Sequence, residues 1–358
     1  MHNQKLKAFL RKRSFLITGG MALIAILLAM LVGGVLIMLI GIDPILAYRY
    51  FFYGAFGNIY GFGETINKFT PLLCCALGFS IAQKSGFFNL GGEGQFYAGA
   101  LCAALAAANM GSASPIVGIA LPVLAGIVGG AVLSSIAGAL KILFNANELL
   151  STMMLNYIMQ YLIALLVSGA LKNPNSSMEQ TVPIPDPVRL PALMEGSRLH
   201  AGFFIALAAL LLVWFLHQRT VLGFEMRLSG MNPKSARYAG VNERRSLIIV
   251  ILVSGALAGL GGALELQGNQ YKLMSGFSNN FGFDGIGIAV MGQYTPAGIF
   301  LSTLLFAALR VGTGSMQRGV GVPTPILYIL QGVIIISVIV SNYFVRRIKD
   351  SLVEGRDA

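Results

Sequence analysis

Charged residues are scarce in this sequence. Asp, Glu, Lys and Arg make up 11% of the 358 residues, whereas 56% are hydrophobic and the mean hydropathy is +0.74. A soluble domain carries about 25% charged residues. This composition excludes a chain of two or three soluble domains. It predicts an all-α, polytopic membrane helical bundle, organised as a single transmembrane domain over residues 1–358.

Residues with reactive side chains are also few. The three cysteines, Cys74, Cys75 and Cys102, lie within apolar runs, so we expect them to pack rather than form disulfides or bind a metal. The three histidines form no nucleophile–base set, and the sequence has no Gly-rich phosphate loop of the Walker type. We therefore expect no catalytic residue, no metal and no cofactor, and the chain should not hydrolyse nucleotide itself.

Long intervals without a charged residue mark the candidate membrane spans, because a span needs about 20 apolar residues. These intervals are 14–42, 69–83, 94–140, 149–171, 199–218, 246–264, 285–309 and 319–345. A polar hinge at 109–115 divides the third interval into two spans, and residues 292–296 interrupt the seventh. The sequence predicts about nine or ten spans within residues 14–345, with some helices short or broken, and ten is favoured.

Basic residues are concentrated in three segments: the N-terminal tail, residues 219–245 and the C-terminal end. The positive-inside rule predicts that all three are cytoplasmic, which requires an even number of spans. The proline-rich segment 172–198 has balanced charge and is predicted to be an external loop, as is 43–68. The net charge of +11 then indicates loops that face membrane lipids rather than a nucleic-acid surface.

Residues 88–95, with the sequence FNLGGEGQ, form a polar and glycine-rich stretch between apolar runs. Polar side chains within a membrane usually face a cavity or the interior of the bundle. The candidates for lining a solute path are Asn89, Glu93, Gln95, Asn147, Glu148, Asp284 and Gln293. A structural role competes with this interpretation. It is favoured for Asn147 and Glu148, which suit the cap and first turn of a helix.

Residues 219–245 hold a second informative stretch. Asn232 precedes Pro233, which predicts the start of a short helix, and Gly240 is placed to end it. A short helix on the cytoplasmic face, with Tyr238 and Ala239 beside basic residues, is a candidate docking surface for a protein. The alternative is an interfacial helix that touches only lipid.

Several of these motifs together resemble one protein family. Residues 88–95 are similar to the FN-[IL]-G-x-E-G-Q signature of permease subunits of bacterial ABC importers, in the ribose and branched-chain amino acid class. Residues 147–157, NELLSTMMLNY, are similar to a stretch of the nucleoside-type subgroup. Residues 230–240, GMNPKSARYAG, resemble the family's coupling loop, with Ser235 where alanine is common. The resemblance covers about residues 71–332.

The resemblance implies a subunit that forms the path for a small polar solute, nucleosides in particular, across the bacterial cytoplasmic membrane. It implies three kinds of partner: a second permease in a heterodimer, cytoplasmic ATP-binding subunits, and an extracytoplasmic substrate-binding protein. It also implies that ATPase coupling residues lie in residues 232–240, namely Asn232, Ala236, Arg237, Tyr238, Ala239 and Gly240. Permeases for simple sugars or branched-chain amino acids remain alternatives. So does a secondary transporter in which Glu93 and Asp284 couple to an ion gradient.

Overall fold

The computed structural model describes residues 24, 27–111 and 114–354 of the chain. The basic N-terminal tail and the start of the predicted first span lie outside the described residues. The helices are α1 Leu27–Leu39, α2 Pro44–Phe56, α3 Ile59–Lys84, α4 Gly92–Ala108, α5 Pro115–Phe144, α6 Glu148–Ser168, α7 Gly202–Arg219, α8 Val221–Met231, α9 Pro233–Tyr238, α10 Glu243–Glu265, α11 Phe281–Met291, α12 Pro296–Val320 and α13 Thr324–Glu354. A π-helical turn, Leu266–Gln270, follows α10, and a short 3₁₀ turn, Asp186–Val188, interrupts the loop before α7.

This architecture confirms a polytopic helical bundle. Six helices of the described chain are long and apolar enough to cross a membrane: α3, α5, α6, α7, α10 and α12. The two predicted interruptions are also confirmed, because α4 ends at Ala108 before α5 begins at Pro115, and α11 ends at Met291 before α12 begins at Pro296. With 11 residues, α11 is about 16 Å long and does not cross alone. The number of crossings stays a prediction.

The predicted external segment 43–68 differs from the structure. It contains the whole of α2, capped by Asp43, and the first turns of α3, capped by Asn58. Glu64 and Lys68 therefore lie within a membrane-spanning helix rather than in a loop. The prediction from charge-free intervals started this span too late. Glu64 and Lys68 were counted as loop charges, whereas they pair with each other within α3.

The chain forms two compact units. The smaller unit combines Met1–Gly57 with Val311–Ala358, and in its described part α2 packs closely on α12. A Cβ atom added at Gly312 would lie 2.5 Å from the ring of Phe51, so this contact depends on the glycine. The larger unit, Asn58–Arg310, contains α3 to α11 and most of α12. It also holds the candidate path residues and the coupling loop.

Helices α4, α5 and α10 pack backbone to backbone in the larger unit. A Cβ atom at Gly130 would overlap the carbonyl oxygen of Gly255, and one at Gly259 would overlap the carbonyl oxygen of Gly126. A Cβ atom at Gly99 would overlap Gly259 in turn. Small residues permit such close approach between membrane helices. The sequence-based expectation that intramembrane glycines build a tight bundle is confirmed here.

The segment before α7 is irregular, as its prolines predicted. It rests on the chain that follows α10: Thr181 N donates to the carbonyl oxygen of Leu273 at 2.9 Å, and Leu190 N donates to that of Gln267 at 2.9 Å. The Gln267 side chain adds a hydrogen bond from Nε2 to the Val188 carbonyl oxygen at 2.9 Å. This loop is therefore attached to the end of α10.

Candidate functional site

Residues 88–95 link α3 to α4, and Asn89 is the centre of their contacts. Its Nδ2 donates to Ser254 Oγ on α10 at 2.8 Å. Ser254 Oγ donates onward to the Gly78 carbonyl oxygen on α3 at 2.8 Å. Asn89 is 2% exposed and Ser254 is 1% exposed. The loop side chain thereby joins α3 to α10 in a water-free environment, where such hydrogen bonds are costly to lose.

Asn89 and Gln95 also form a reciprocal amide pair. Asn89 Nδ2 donates to Gln95 Oε1 at 3.1 Å, and Gln95 Nε2 donates to Asn89 Oδ1 at 3.0 Å. The same Asn89 oxygen accepts from Gly91 N at 2.9 Å. These bonds fix the loop against the first turn of α4, so Gln95 holds the loop in place.

Helix α6 contributes a second set of bonds to the same loop. Asn156 Oδ1 accepts from Gly94 N at 2.7 Å, and Asn156 Nδ2 donates to the Leu90 carbonyl oxygen at 2.8 Å. Leu90 N in turn donates to Thr152 Oγ1 at 3.2 Å. Asn156 and Thr152 are each 1% exposed. The two polar motifs, which are distant in sequence, therefore form one buried network.

Glu93 connects this network to α11. Its Oε2 accepts from Gly282 N at 2.8 Å, and Glu93 is 1% exposed. A Cβ atom at Gly282 would overlap the backbone of Glu93, so the first turns of α4 and α11 touch. The carboxylate satisfies a backbone N–H at the start of α11, which would otherwise have no partner within its own helix.

Asn147 and Glu148 occupy the positions that the sequence indicated. Asn147 Oδ1 caps α6 by accepting from Leu149 N at 2.9 Å. Glu148 is the first helical residue and forms an ion pair with Lys141 of α5 at 2.8 Å. The predicted capping role is confirmed for Asn147, and the ion pair ties the end of α5 to the start of α6.

Asp284 and Gln293 lie at the two ends of α11. Asp284 Oδ2 accepts from Arg310 Nε at 2.8 Å, and Arg310 Nη2 also donates to the Asn279 carbonyl oxygen at 2.7 Å. Gln293 lies in the turn that precedes α12, with a left-handed φ of 51°. Arg310 lies within α12, where Asp284 offsets its charge.

A polar cluster around Glu265 was not found from the sequence. Glu265 is 0% exposed, and its Oε1 accepts from Asn269 Nδ2 at 2.6 Å and from Gln270 Nε2 at 3.0 Å. Lys68 Nζ lies 3.7 Å from the same oxygen and 3.8 Å from Glu64. Glu265 Oε2 is buried without a hydrogen-bond partner. The π-helical turn that brings the two amides to this carboxylate has no clear sequence signal.

His200, just before α7, lies close to this cluster. Gly202 N donates to its Nδ1 at 3.2 Å, so the proton lies on Nε2, which faces Asn67 Oδ1 at 3.1 Å. Burial lowers the pKa of His200 from 6.5 to about 4; the nearby Glu265 opposes this shift and Lys68 adds to it. The neutral imidazole therefore joins the segment before α7 to α3.

The predicted short helix in the basic loop is present as α9. Asn232 caps it by accepting from Ser235 N at 3.1 Å, Pro233 is its first residue, and Gly240 follows with a φ of +81°. Arg237 forms an ion pair with Glu243 at 3.1 Å, which connects α9 to the start of α10. The sequence-based prediction of this helix and both its ends is confirmed.

Helix α9 turns nearly all of its side chains outward. Tyr238 is 94% exposed and Met231, at the end of α8, is 84% exposed, whereas Ala236 is fully buried. Arg237, Ala239 and the other residues of the turn are exposed as well. A single buried alanine holds α9 to the body of the protein, and a large aromatic side chain protrudes beside it.

The structure thus brings Asn89, Glu93 and Gln95 together and places Asp284 at the start of the same α11. Asn147 and Glu148 lie between about one and two and a half turns from Thr152 and Asn156 on α6. The predicted coupling residues form a separate surface on the loop between α7 and α10. Among the described residues, no group of three or more His, Cys, Asp or Glu is arranged to hold a metal ion.

Long apolar helices around a buried polar network are typical of a membrane transport protein. Residues 61–339 match the family model described as branched-chain amino acid transport system / permease component, and the chain belongs to this family.

Three curated relatives are similar over nearly the whole chain. The nucleoside ABC transporter permease protein NupB of Lactococcus lactis is 33% identical over 87% of this chain and 88% of its own. The guanosine ABC transporter permease protein NupP of Bacillus subtilis is 32% identical over 92% and 95%. The glucose ABC transporter permease protein TsgB13 of Haloferax volcanii is 31% identical over 91% and 88%. The first two organisms each have a second, more distant relative, NupC and NupQ. No solved structure matches the chain.

Proposed function

We propose that the chain is the translocation subunit of an ATP-binding-cassette importer for nucleosides. The observation that carries this proposal is the similarity, over nearly the full length of both chains, to permeases named for nucleoside and guanosine transport. The NELLSTMMLNY motif supports it, because its buried Thr152 and Asn156 hydrogen-bond to the permease signature.

The wall of the solute path is formed, in this proposal, by the polar residues around α4, α6 and α11. They are Asn89, Glu93, Gln95, Asn147, Glu148, Asp284 and Gln293. The first three exchange hydrogen bonds within the bundle, so their part is to fix the helix ends that frame the path. Asp284 and Glu148 retain side-chain exposures of 23% and 22%, which leaves them accessible to a polar solute.

ATPase coupling belongs, in this proposal, to the loop with α8 and α9. Six residues, Asn232, Ala236, Arg237, Tyr238, Ala239 and Gly240, form its docking turn. The exposed Tyr238 ring is the anchor, because aromatic side chains that fill a pocket dominate binding energy at protein interfaces. Movement of an ATPase would reach the bundle through α8, which contacts α3 and α7.

The assembly implied is a pair of permeases with ATP-binding subunits on the cytoplasmic side and a substrate-binding protein outside. The presence of two similar permeases in each of two organisms supports a heterodimer. Both termini and the α8–α9 loop face the cytoplasm of a bacterial cell, and segment 172–198 faces outward, where it meets the binding protein.

Reconstitution tests this function. The chain is co-expressed with the proposed ATPase, second permease and binding protein, and uptake of radiolabelled guanosine into proteoliposomes is measured with and without ATP. We expect ATP-dependent guanosine uptake that unlabelled adenosine reduces and leucine does not. Uptake driven by an ion gradient in the absence of any ATPase would contradict the importer and favour a secondary transporter.

Simple sugars are the second candidate solute, because the glucose permease TsgB13 is nearly as similar to the chain as the nucleoside permeases. The same proteoliposomes separate the two. Uptake is also measured with radiolabelled glucose. If unlabelled ribose reduces ATP-dependent glucose uptake and unlabelled guanosine does not, the solute is a sugar rather than a nucleoside, and the importer class is unchanged.

A further inference from the structure

Unpaired polar atoms converge where the last turns of α3 and α7 meet α8. In the described part of the chain, nine buried side-chain atoms lack a hydrogen-bond partner, and five of them belong to this corner. They are Gln83 Oε1, both ring nitrogens of His217, Arg227 Nη1 and Ser229 Oγ. His217 is 3% exposed. Buried polar groups are rarely left unpaired, so this concentration requires an explanation.

Two cations lie in the same corner without a counter-ion. Lys84 and Arg227 are half-buried, they repel each other, and both act electrostatically on His217. Neither forms an ion pair with any carboxylate of the described residues, including Glu225 on the same helix as Arg227. Removing two like charges from water without a partner is unfavourable, and an anion between them would offset that cost.

Close backbone contacts hold this corner in place. A Cβ atom at Gly230 of α8 would overlap the Lys84 carbonyl oxygen, and one at Gly223 would overlap the Leu216 carbonyl oxygen beside His217. Thr220 adds a cap for α8 by accepting from Gly223 N at 3.1 Å. The backbones that carry the cations and the imidazole are therefore fixed by packing at two glycines. The site does not depend on a mobile loop.

We propose that this corner binds a phosphate group. Lys84 Nζ, Arg227 Nη1 and the His217 ring offer charged or neutral N–H donors, and Ser229 Oγ offers a hydroxyl. A phosphate accepts hydrogen bonds on several sides and carries the negative charge that the two cations lack. A carboxylate has only two oxygens and one charge, so it would leave part of the corner unsatisfied.

The phosphate has two potential sources, and both fit the chemistry. The corner lies at the bundle end with the basic loop, where headgroups of anionic lipids are attracted to Lys and Arg. It is also next to the aqueous side, where a soluble phosphate can enter. In either case the ligand would bridge α3, α7 and α8. It would thereby stiffen the base of the helix that leads to α9.

Thermal unfolding of the purified full chain in delipidated detergent tests the site with two separate probes, dioleoylphosphatidylglycerol and inorganic phosphate. Dioleoylphosphatidylcholine, which has a phosphate but no net charge, serves as the lipid control. We expect one probe to raise the unfolding midpoint of the unmodified protein. A response to phosphatidylglycerol alone identifies a lipid headgroup, and a response to inorganic phosphate identifies a soluble ligand. A midpoint unchanged by both probes would overturn the proposal.

Variants then locate the binding. Lys84→Gln and Arg227→Gln should each need about ten times more ligand, or more, for the same rise in unfolding midpoint. Each variant removes a charge-assisted hydrogen bond to the phosphate. Arg219→Gln removes an exposed basic residue at the end of α7 and should respond like the unmodified protein. Without ligand, Lys84→Gln and Arg227→Gln should melt no earlier than the unmodified protein, since each relieves repulsion. If both bind the probe as tightly as Arg219→Gln does, the site is not at this corner.

Discussion

Asn89 and Gln95 hydrogen-bond to each other through both atoms of each side-chain amide, at 3.1 and 3.0 Å, in a position where each residue is 2% exposed. Asn89 also donates to Ser254 and accepts from Gly91 N, so its side-chain amide has no hydrogen-bonding group left for a solute. The most conspicuous polar motif of the sequence is thus held by the protein itself.

Gln95→Leu should therefore lower the thermal unfolding midpoint, because the buried Asn89 amide loses one hydrogen bond at Nδ2 and one at Oδ1, at a cost of about 1–3 kcal/mol. Asn109→Ala, at the exposed end of α4, is the matched control and should change the midpoint little. Measurement of guanosine uptake on the same variants separates the two roles. An altered KM with an unchanged midpoint would show that Gln95 contacts solute instead.

Gly259→Ala should destabilise the larger unit by about 1–3 kcal/mol, because the new methyl group overlaps the backbones of Gly126 and Gly130. Gly332→Ala is the control, since a Cβ atom there meets nothing within 4 Å. Differential scanning fluorimetry of both variants gives the comparison. Equal midpoints for the two would show that α5 and α10 separate easily enough to accept the methyl group.

Lys68→Met should lower the free energy of unfolding by about 3–5 kcal/mol, because it leaves the fully buried Glu265 carboxylate without its cation. The double variant Lys68→Met/Glu265→Gln removes both charges and should recover most of the loss. Asp186→Asn weakens the pair with Arg189 at its exposed carboxylate and should cost less than about 1 kcal/mol. The prediction fails if the double variant is no more stable than Lys68→Met alone, as judged by urea unfolding.

Tyr238→Asp should reduce ATP-dependent uptake about tenfold or more while insertion and the unfolding midpoint stay unchanged, because the ring is 94% exposed and serves only a partner. Met178→Asp places the same charge at a 69% exposed position of the loop before α7, away from the proposed ATPase surface, and should leave copurification of the ATPase unchanged. Copurification of the ATPase with each variant provides a second measurement. Normal uptake by Tyr238→Asp would exclude a docking role for the ring.

His200 predicts a pH dependence of stability. Burial lowers its pKa from 6.5 to about 4, so the unfolded chain binds a proton between these values and the folded chain does not. The contribution of His200 to the free energy of unfolding is fully present above pH 6.5. It decreases as the pH falls towards 4, by up to about 1.4 kcal/mol per pH unit. Unfolding midpoints at pH 7.5 and pH 5 should differ less in His200→Gln than in the unmodified protein. An identical pH response in the two proteins would disprove the assignment.

The sequence located several local features correctly because their causes are local. The cap at Asn147, the helix start at Asn232 and its end at Gly240 follow from side-chain hydrogen bonds and backbone preferences within a few residues. The breaks at 109–115 and 292–296 follow from polar and proline-containing turns. The start of α3 was misplaced because Glu64 and Lys68 were judged as single charges, whereas they pair with each other and with Glu265.

By itself the sequence determined that this is a helical membrane protein, which of its segments are apolar, and which family motifs it carries, because hydropathy, capping and motif order need no knowledge of contacts. Only the tertiary structure decided that Asn89, Gln95 and Asn156 meet in one buried network, and that Glu265, Lys84, Arg227 and His217 lack full partners. Hydrogen bonds and ion pairs between distant segments depend on how helices pack, and helical periodicity does not specify which helix faces which.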